Sequence, residues 1–123
     1  MILIKRIKAF GHALSGVIFF FKEGIHAKIM LILGLFVLLL SFLLNLNLFE
    51  WITILLCIGL VLALEALNSA IEYLVDLASP EYHLLAKKCK DVAAAAVLIF
   101  SFFTALIGTL IFLPKIITLL NGF

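Results

Sequence analysis

Three stretches of this chain, residues 29–49, 51–64 and 92–114, contain no Asp, Glu, Lys or Arg. A helix needs about 20 apolar residues to cross the hydrocarbon layer of a bilayer, and a chain of 123 residues has no room to hide three such stretches from water. Composition agrees: 67% of residues are hydrophobic, 13% are charged, and mean hydropathy is +1.38, against roughly half apolar and a quarter charged in a soluble domain. A water-soluble fold is excluded. The net charge of +2 is too small to point to nucleic acid. Cys57 and Cys89 belong to no C-x-x-C or Cys/His cluster, so they are read as reduced thiols without a disulfide or zinc role.

The charge gaps place three transmembrane helices at about 29–48, 51–77 and 92–113, the second interrupted by acids and the third closed by Pro114, which readily ends a helix. Ahead of them, Lys5, Lys8, His12 and Ser15 recur at steps of three and four, and Leu3, Ile7, Phe10 and Leu14 do so on another face. That spacing predicts an amphipathic helix over about 3–21 lying in the headgroup layer. It is not expected to be a cleaved leader, because Gly11, His12, Ser15 and Gly16 split its apolar run and no small-residue cleavage site follows. The expected fold is an all-α membrane protein of one domain, residues 1–123, with an interfacial helix and three spans. Eight of the nine basic residues fall before the first span or between the second and third; only Lys115 does not. The positive-inside rule then puts the N-terminus and residues 78–90 in the cytoplasm.

Along the second span Glu65, Asn68, Ser69, Glu72 and Asp76 share an arc of roughly 100°. A carboxylate facing lipid costs about 2.5 kcal/mol or more near the bilayer centre, so this face must look into protein, water or a cation. Gly59, Ala63, Ala66 and Ala70 form a second stripe, and Ala94, Ser101, Ala105 and Gly108 repeat it on the third span. Small residues at that spacing let membrane helices approach closely. Three helices barely enclose a polar face, so a homo-oligomer with clefts between subunits is expected.

Glu65 and Glu72 stand about 10.5 Å apart along a helix axis, Glu72 nearer the cytoplasm. Magnesium favours one or two carboxylates together with phosphate oxygens and water, which suits Glu72. A deeper carboxylate suits proton abstraction from an alcohol arriving through lipid, which suits Glu65. Lys87, Lys88 and Lys90 would offset phosphate charge. No G-x-x-x-x-G-K-S/T or G-x-G-x-x-G sequence occurs, so a glycine-rich phosphate cradle is excluded. From spacing alone, acids with a basic rim suit a cation path about as well as a nucleotide.

The segments E-A-L-N-S-A-I-E (65–72), S-P-E-Y-H (79–83) and K-D-V-A-A-A-A-V (90–97) resemble the small prokaryotic diacylglycerol kinase and undecaprenol kinase family, and the resemblance runs from Lys5 through the third span. It implies a homotrimer in the bacterial cytoplasmic membrane that uses MgATP to phosphorylate a lipid alcohol. Position by position it implies Glu65 as catalytic base in contact with the lipid, Asn68 beside it, and Glu72 as magnesium ligand. Glu72, Glu81, Tyr82, His83, Lys90 and Asp91 are implied at the nucleotide. Lys5 stands at a basic position of the family and His12 at an aromatic one, both near nucleotide, and Lys28 stands where an arginine near the lipid is usual. A second metal carboxylate of the family falls on Gly24 in a gapless register, with Glu23 one residue earlier, so either Glu23 or water fills that place.

Within the family, A-K-K-C-K-D-V-A-A-A-A-V and G-T-L-I-F-L-P-K-I look more like the undecaprenol branch, with diacylglycerol the alternative acceptor. From other classes, a proton-coupled exporter would use Glu65 without ATP, though it has no need of the E-Y-H and K-D segments. A purely structural adaptor would tolerate Leu at Glu65 and Glu72.

Overall fold

With only two prolines and few helix-breaking clusters in the sequence, the computed structural model, which describes residues 1–123, folds into four helices and no strand. Helix α1 spans Ile2–Glu23 and ends at Gly24, whose backbone is extended (φ −85°, ψ 114°) while its N–H still bonds the Phe20 carbonyl at 3.1 Å. Helix α2 follows at once, Ile25–Leu43. Asn45 then takes a positive φ of 52°, a conformation asparagine tolerates better than most residues. Helix α3 (Leu48–Ala78) opens on a capping box. The Glu50 N–H donates to Asn47 Oδ1 at 3.0 Å and the Asn47 N–H to Glu50 Oε2 at 2.9 Å, satisfying two otherwise orphan donors. Residues 79–83 join it to α4, Leu84–Asn121, which His83 caps by accepting the Leu85 N–H at Nδ1.

The first and last spans differ from the charge-gap reading at both ends. The first apolar helix covers 25–43 rather than 29–48, because Gly24 and the turn at Asn45, not charges, delimit it. The last begins at Leu84, ahead of Val92, and runs through Pro114 to Asn121 instead of stopping there. A helix interior tolerates a proline in a membrane more readily than in water, and α4 continues past Pro114 for nearly two further turns, with Thr118 Oγ1 donating to the Pro114 carbonyl at 2.8 Å.

Helices α2, α3 and α4 are each long and apolar enough to cross a membrane. At 31 and 38 residues, α3 and α4 exceed the hydrocarbon layer of about 30 Å and project beyond it. Helix α3 packs mainly on α4 and next on α2, whereas α1 buries none of its residues. Two ion pairs set the antiparallel register of α3 on α4: Lys115 with Glu50 at 3.1 Å, and Lys90 with Asp76 at the opposite end. A small core of Leu46, Ile54 and Phe112 closes the Glu50 end. Only ten of 123 residues are buried, so most apolar side chains await lipid or another subunit.

Candidate active site

Helix α3 presents Ile54, Cys57, Val61, Glu65, Asn68 and Glu72 at steps of three or four, one continuous stripe. Its middle is protected: Glu65 is 6% exposed and Asn68 7%, the only buried acid and amide in the chain. Glu72, one turn further, is exposed. Asn68 Nδ2 donates to Glu72 Oε1 at 3.3 Å, which turns the amide so that Oδ1, fully buried, has no hydrogen-bond partner. A buried acceptor without a donor costs about 1–3 kcal/mol. The amide therefore offers a vacant acceptor between a sheltered and an open carboxylate, suited to an alcohol O–H or a cation.

The ionisable groups that bear on Glu65 are His26, in the first turn of α2, and Glu72. His26 is the residue that sequence reasoning missed. It lies 39 positions from Glu65 in the chain, and no periodicity links two different helices.

Beyond Glu72, the end of α3, residues 79–83 and the start of α4 enclose a hollow of about 280 Å³. It brings together Glu81, Tyr82, His83, Lys90 and Asp91, and adds Asp76 and Lys87. The adjacent Lys90 and Asp91 do not pair with each other: successive helical residues point about 100° apart. Lys90 binds Asp76 across the helix junction, while Lys87 binds Asp91 one turn away at 2.6 Å. Both lysines thus sit at the rim, where a polyanion would meet them.

Other candidates lie elsewhere. Lys5 and His12 are exposed on α1, Lys28 is exposed in α2, and none of the three lines the hollow or the α3 stripe. Glu23 closes α1 next to the extended Gly24, so the one-residue offset between them falls at a helix break and not on a continuous helix. Position 24 has no space for a side chain. A Cβ there would come within 2.8 Å of the Phe20 carbonyl oxygen and 3.1 Å of the Ala27 Cβ.

No three His, Cys, Asp or Glu side chains converge into a cage. A cation that takes most of its ligands from protein does not fit, whereas magnesium, which keeps waters and substrate phosphates, needs only one or two carboxylates. Glu72, an exposed carboxylate, can supply one such ligand.

The chain is similar to several known proteins. The model of the family described as prokaryotic diacylglycerol kinase matches residues 11–112. The undecaprenol kinase of Bacillus subtilis is 50% identical over 80 residues, 65% of this chain and 65% of that protein. A diacylglycerol kinase of Synechocystis is 34% identical over 113 residues, 91% of this chain and 65% of its own length. The diacylglycerol kinase of Helicobacter pylori is 37% identical over 98 residues, 73% and 77% of the two chains. The matched stretch thus spans just under two thirds of the Bacillus and Synechocystis proteins.

Proposed function

The chain belongs to the prokaryotic diacylglycerol kinase family, and on that premise we propose that it transfers the γ-phosphoryl group of ATP to the hydroxyl of a membrane lipid alcohol. Undecaprenol is the favoured acceptor, supported by the 50% identity to the Bacillus undecaprenol kinase. Diacylglycerol is the second, supported by the names of the Synechocystis and Helicobacter relatives.

The observation that carries the reading is the Glu65–Asn68–Glu72 ladder, sheltered at one end and open at the other, with a vacant acceptor between. Glu65 takes the proton of the alcohol. Asn68 orients Glu72 and, through Oδ1, the group that approaches it. Glu72 would hold magnesium; bound there, the ion would neutralise phosphate charge as it develops. Lys90 moves from Asp76 to the phosphates, and Glu81, Tyr82, His83 and Asp91 surround the rest of the nucleotide in the hollow. Phosphoryl transfer asks the protein mainly for such alignment and charge stabilisation. Lys5 and His12 at the nucleotide, Glu23 at the metal and Lys28 at the lipid enter on family resemblance.

The working unit is proposed as a homotrimer of single-domain chains in the bacterial cytoplasmic membrane, α1 on the surface and the N-terminus in the cytoplasm. Support comes from an α1 with nothing buried, from the scarcity of buried residues and from the distribution of basic side chains. A monodisperse monomer that stays active in mild detergent contradicts it.

The test of function is direct. Purified protein with labelled ATP, magnesium and each acceptor in the same micelles gives a labelled lipid phosphate, faster with undecaprenol. If neither acceptor is labelled, the reading fails.

A further inference from the structure

Below Glu65, on the side away from the nucleotide hollow, α2, α3 and α4 enclose a second cavity of about 410 Å³. Its wall is mostly apolar, with Gly34 of α2, Ile54, Cys57 and Val61 of α3, and Gly108 and Phe112 of α4. Ile54, Cys57 and Val61 are the lower part of the stripe that continues into Glu65, Asn68 and Glu72, so the cavity ends about one helical turn below the sheltered carboxylate. Two hydroxyls interrupt the wall, those of Ser101 and Thr104.

Thr104 stands out among the hydroxyls. Ser15, Ser41, Thr53, Thr109 and Thr118 each donate to the carbonyl four residues earlier at 2.7–3.1 Å, the usual way a helix satisfies a hydroxyl in an apolar setting. Thr104 Oγ1 is as fully buried as Asn68 Oδ1 and has no partner at all. The Asp76–Lys90 and Glu50–Lys115 pairs fix how α4 runs against α3. In that register Ser101 lies level with Glu65 and Thr104 one turn deeper.

From the orphan hydroxyl, the apolar wall and the shared stripe, we infer that this cavity holds the part of a single hydrocarbon chain next to the alcohol's hydroxyl, and that Thr104, with Ser101, hydrogen-bonds the alcohol oxygen as Glu65 takes its proton. The inference deepens the kinase reading and rests on it. A cavity formed by three helices of one chain fits one slender chain, such as a polyprenol, better than the paired chains of a diacylglycerol. Thr104 is then an acceptor-binding residue that does not meet ATP.

The experiment measures steady-state kinetics of Thr104→Val, Thr104→Ser and Gly108→Leu in mixed micelles, with undecaprenol or dioleoylglycerol as acceptor. Thr104→Val keeps the side-chain shape and removes the O–H. It should raise KM for undecaprenol roughly three- to tenfold, leave KM for ATP unchanged, and be rescued by Thr104→Ser. A Cβ at position 108 meets nothing closer than Phe112 Cδ2 at 4.0 Å, so Gly108→Leu fills the cavity without displacing backbone and should raise KM for undecaprenol more than for dioleoylglycerol. The inference is overturned if Thr104→Val matches wild type, or if it moves KM for ATP equally. It is also overturned if Gly108→Leu changes the number of subunits and not acceptor KM, since the space then belongs to subunit packing. If wild type labels neither lipid, the kinase reading falls and takes this inference with it. If wild type labels undecaprenol and both variants behave like it, only the inference falls.

Discussion

Asn68 gives its amide N–H to Glu72 at 3.3 Å, and in doing so leaves its own carbonyl oxygen buried without a donor. One hydrogen bond within a single helix therefore does two things: it fixes the open carboxylate and leaves a vacant acceptor buried one turn from the sheltered one. A helix that served only as a membrane anchor has no reason to keep such an arrangement, because an unsatisfied buried acceptor is a net cost.

Asn68→Ala removes the donor that fixes Glu72 and the oxygen offered beside it. The magnesium concentration for half-maximal activity should rise roughly three- to tenfold, measured by titrating magnesium at saturating ATP. An unchanged magnesium dependence would show that Glu72 needs no partner.

Lys90 binds Asp76 at the junction of α3 and α4. With both side chains substantially exposed, at 38% and 63%, the pair adds little to stability, and its interest lies in where it holds the ammonium. Lys90→Gln should raise KM for ATP at least about tenfold, since it removes a charge-assisted bond to phosphate, while the unfolding midpoint in detergent stays put. A fall in midpoint with normal KM would assign Lys90 to structure alone.

Gly24 lies where α1 turns into α2, and the 2.8 Å approach of the Phe20 carbonyl leaves no space for a methyl group. Gly24→Ala should destabilise the protein by about 1–3 kcal/mol, the usual range for overpacking, as read from denaturant unfolding in mixed micelles. Wild-type stability in that variant would mean that the junction gives way easily.

The apolar helices were legible in the sequence because the membrane removes ambiguity: a charge-free run of that length has few other uses. Their ends were less so. Lys28 looked like a boundary, but charge does not stop a helix, and the backbone break falls at Gly24. Pro114 looked like a stop, yet the helix passes through it with Thr118 donating to its carbonyl. The acid ladder was visible as periodicity within one helix, and the hollow's residues through their motif. Contacts between helices were not. Asp76 meets Lys90 across 14 residues, and His26 acts on Glu65 only through its charge, from another helix. Thr104 carried no signal at all, since a threonine in an apolar helix ordinarily satisfies itself.

The central claim is that Glu65, sheltered in the membrane, takes the proton of a lipid alcohol for transfer of phosphate from ATP. Glu65→Gln, compared with wild type for labelled phosphate transfer to undecaprenol in mixed micelles, tests it most directly. Turnover should fall by a factor of about 10² to 10⁴, the usual contribution of a general base, with ATP binding and the unfolding midpoint retained. A Glu65→Gln protein that labels lipid at the wild-type rate would contradict the account.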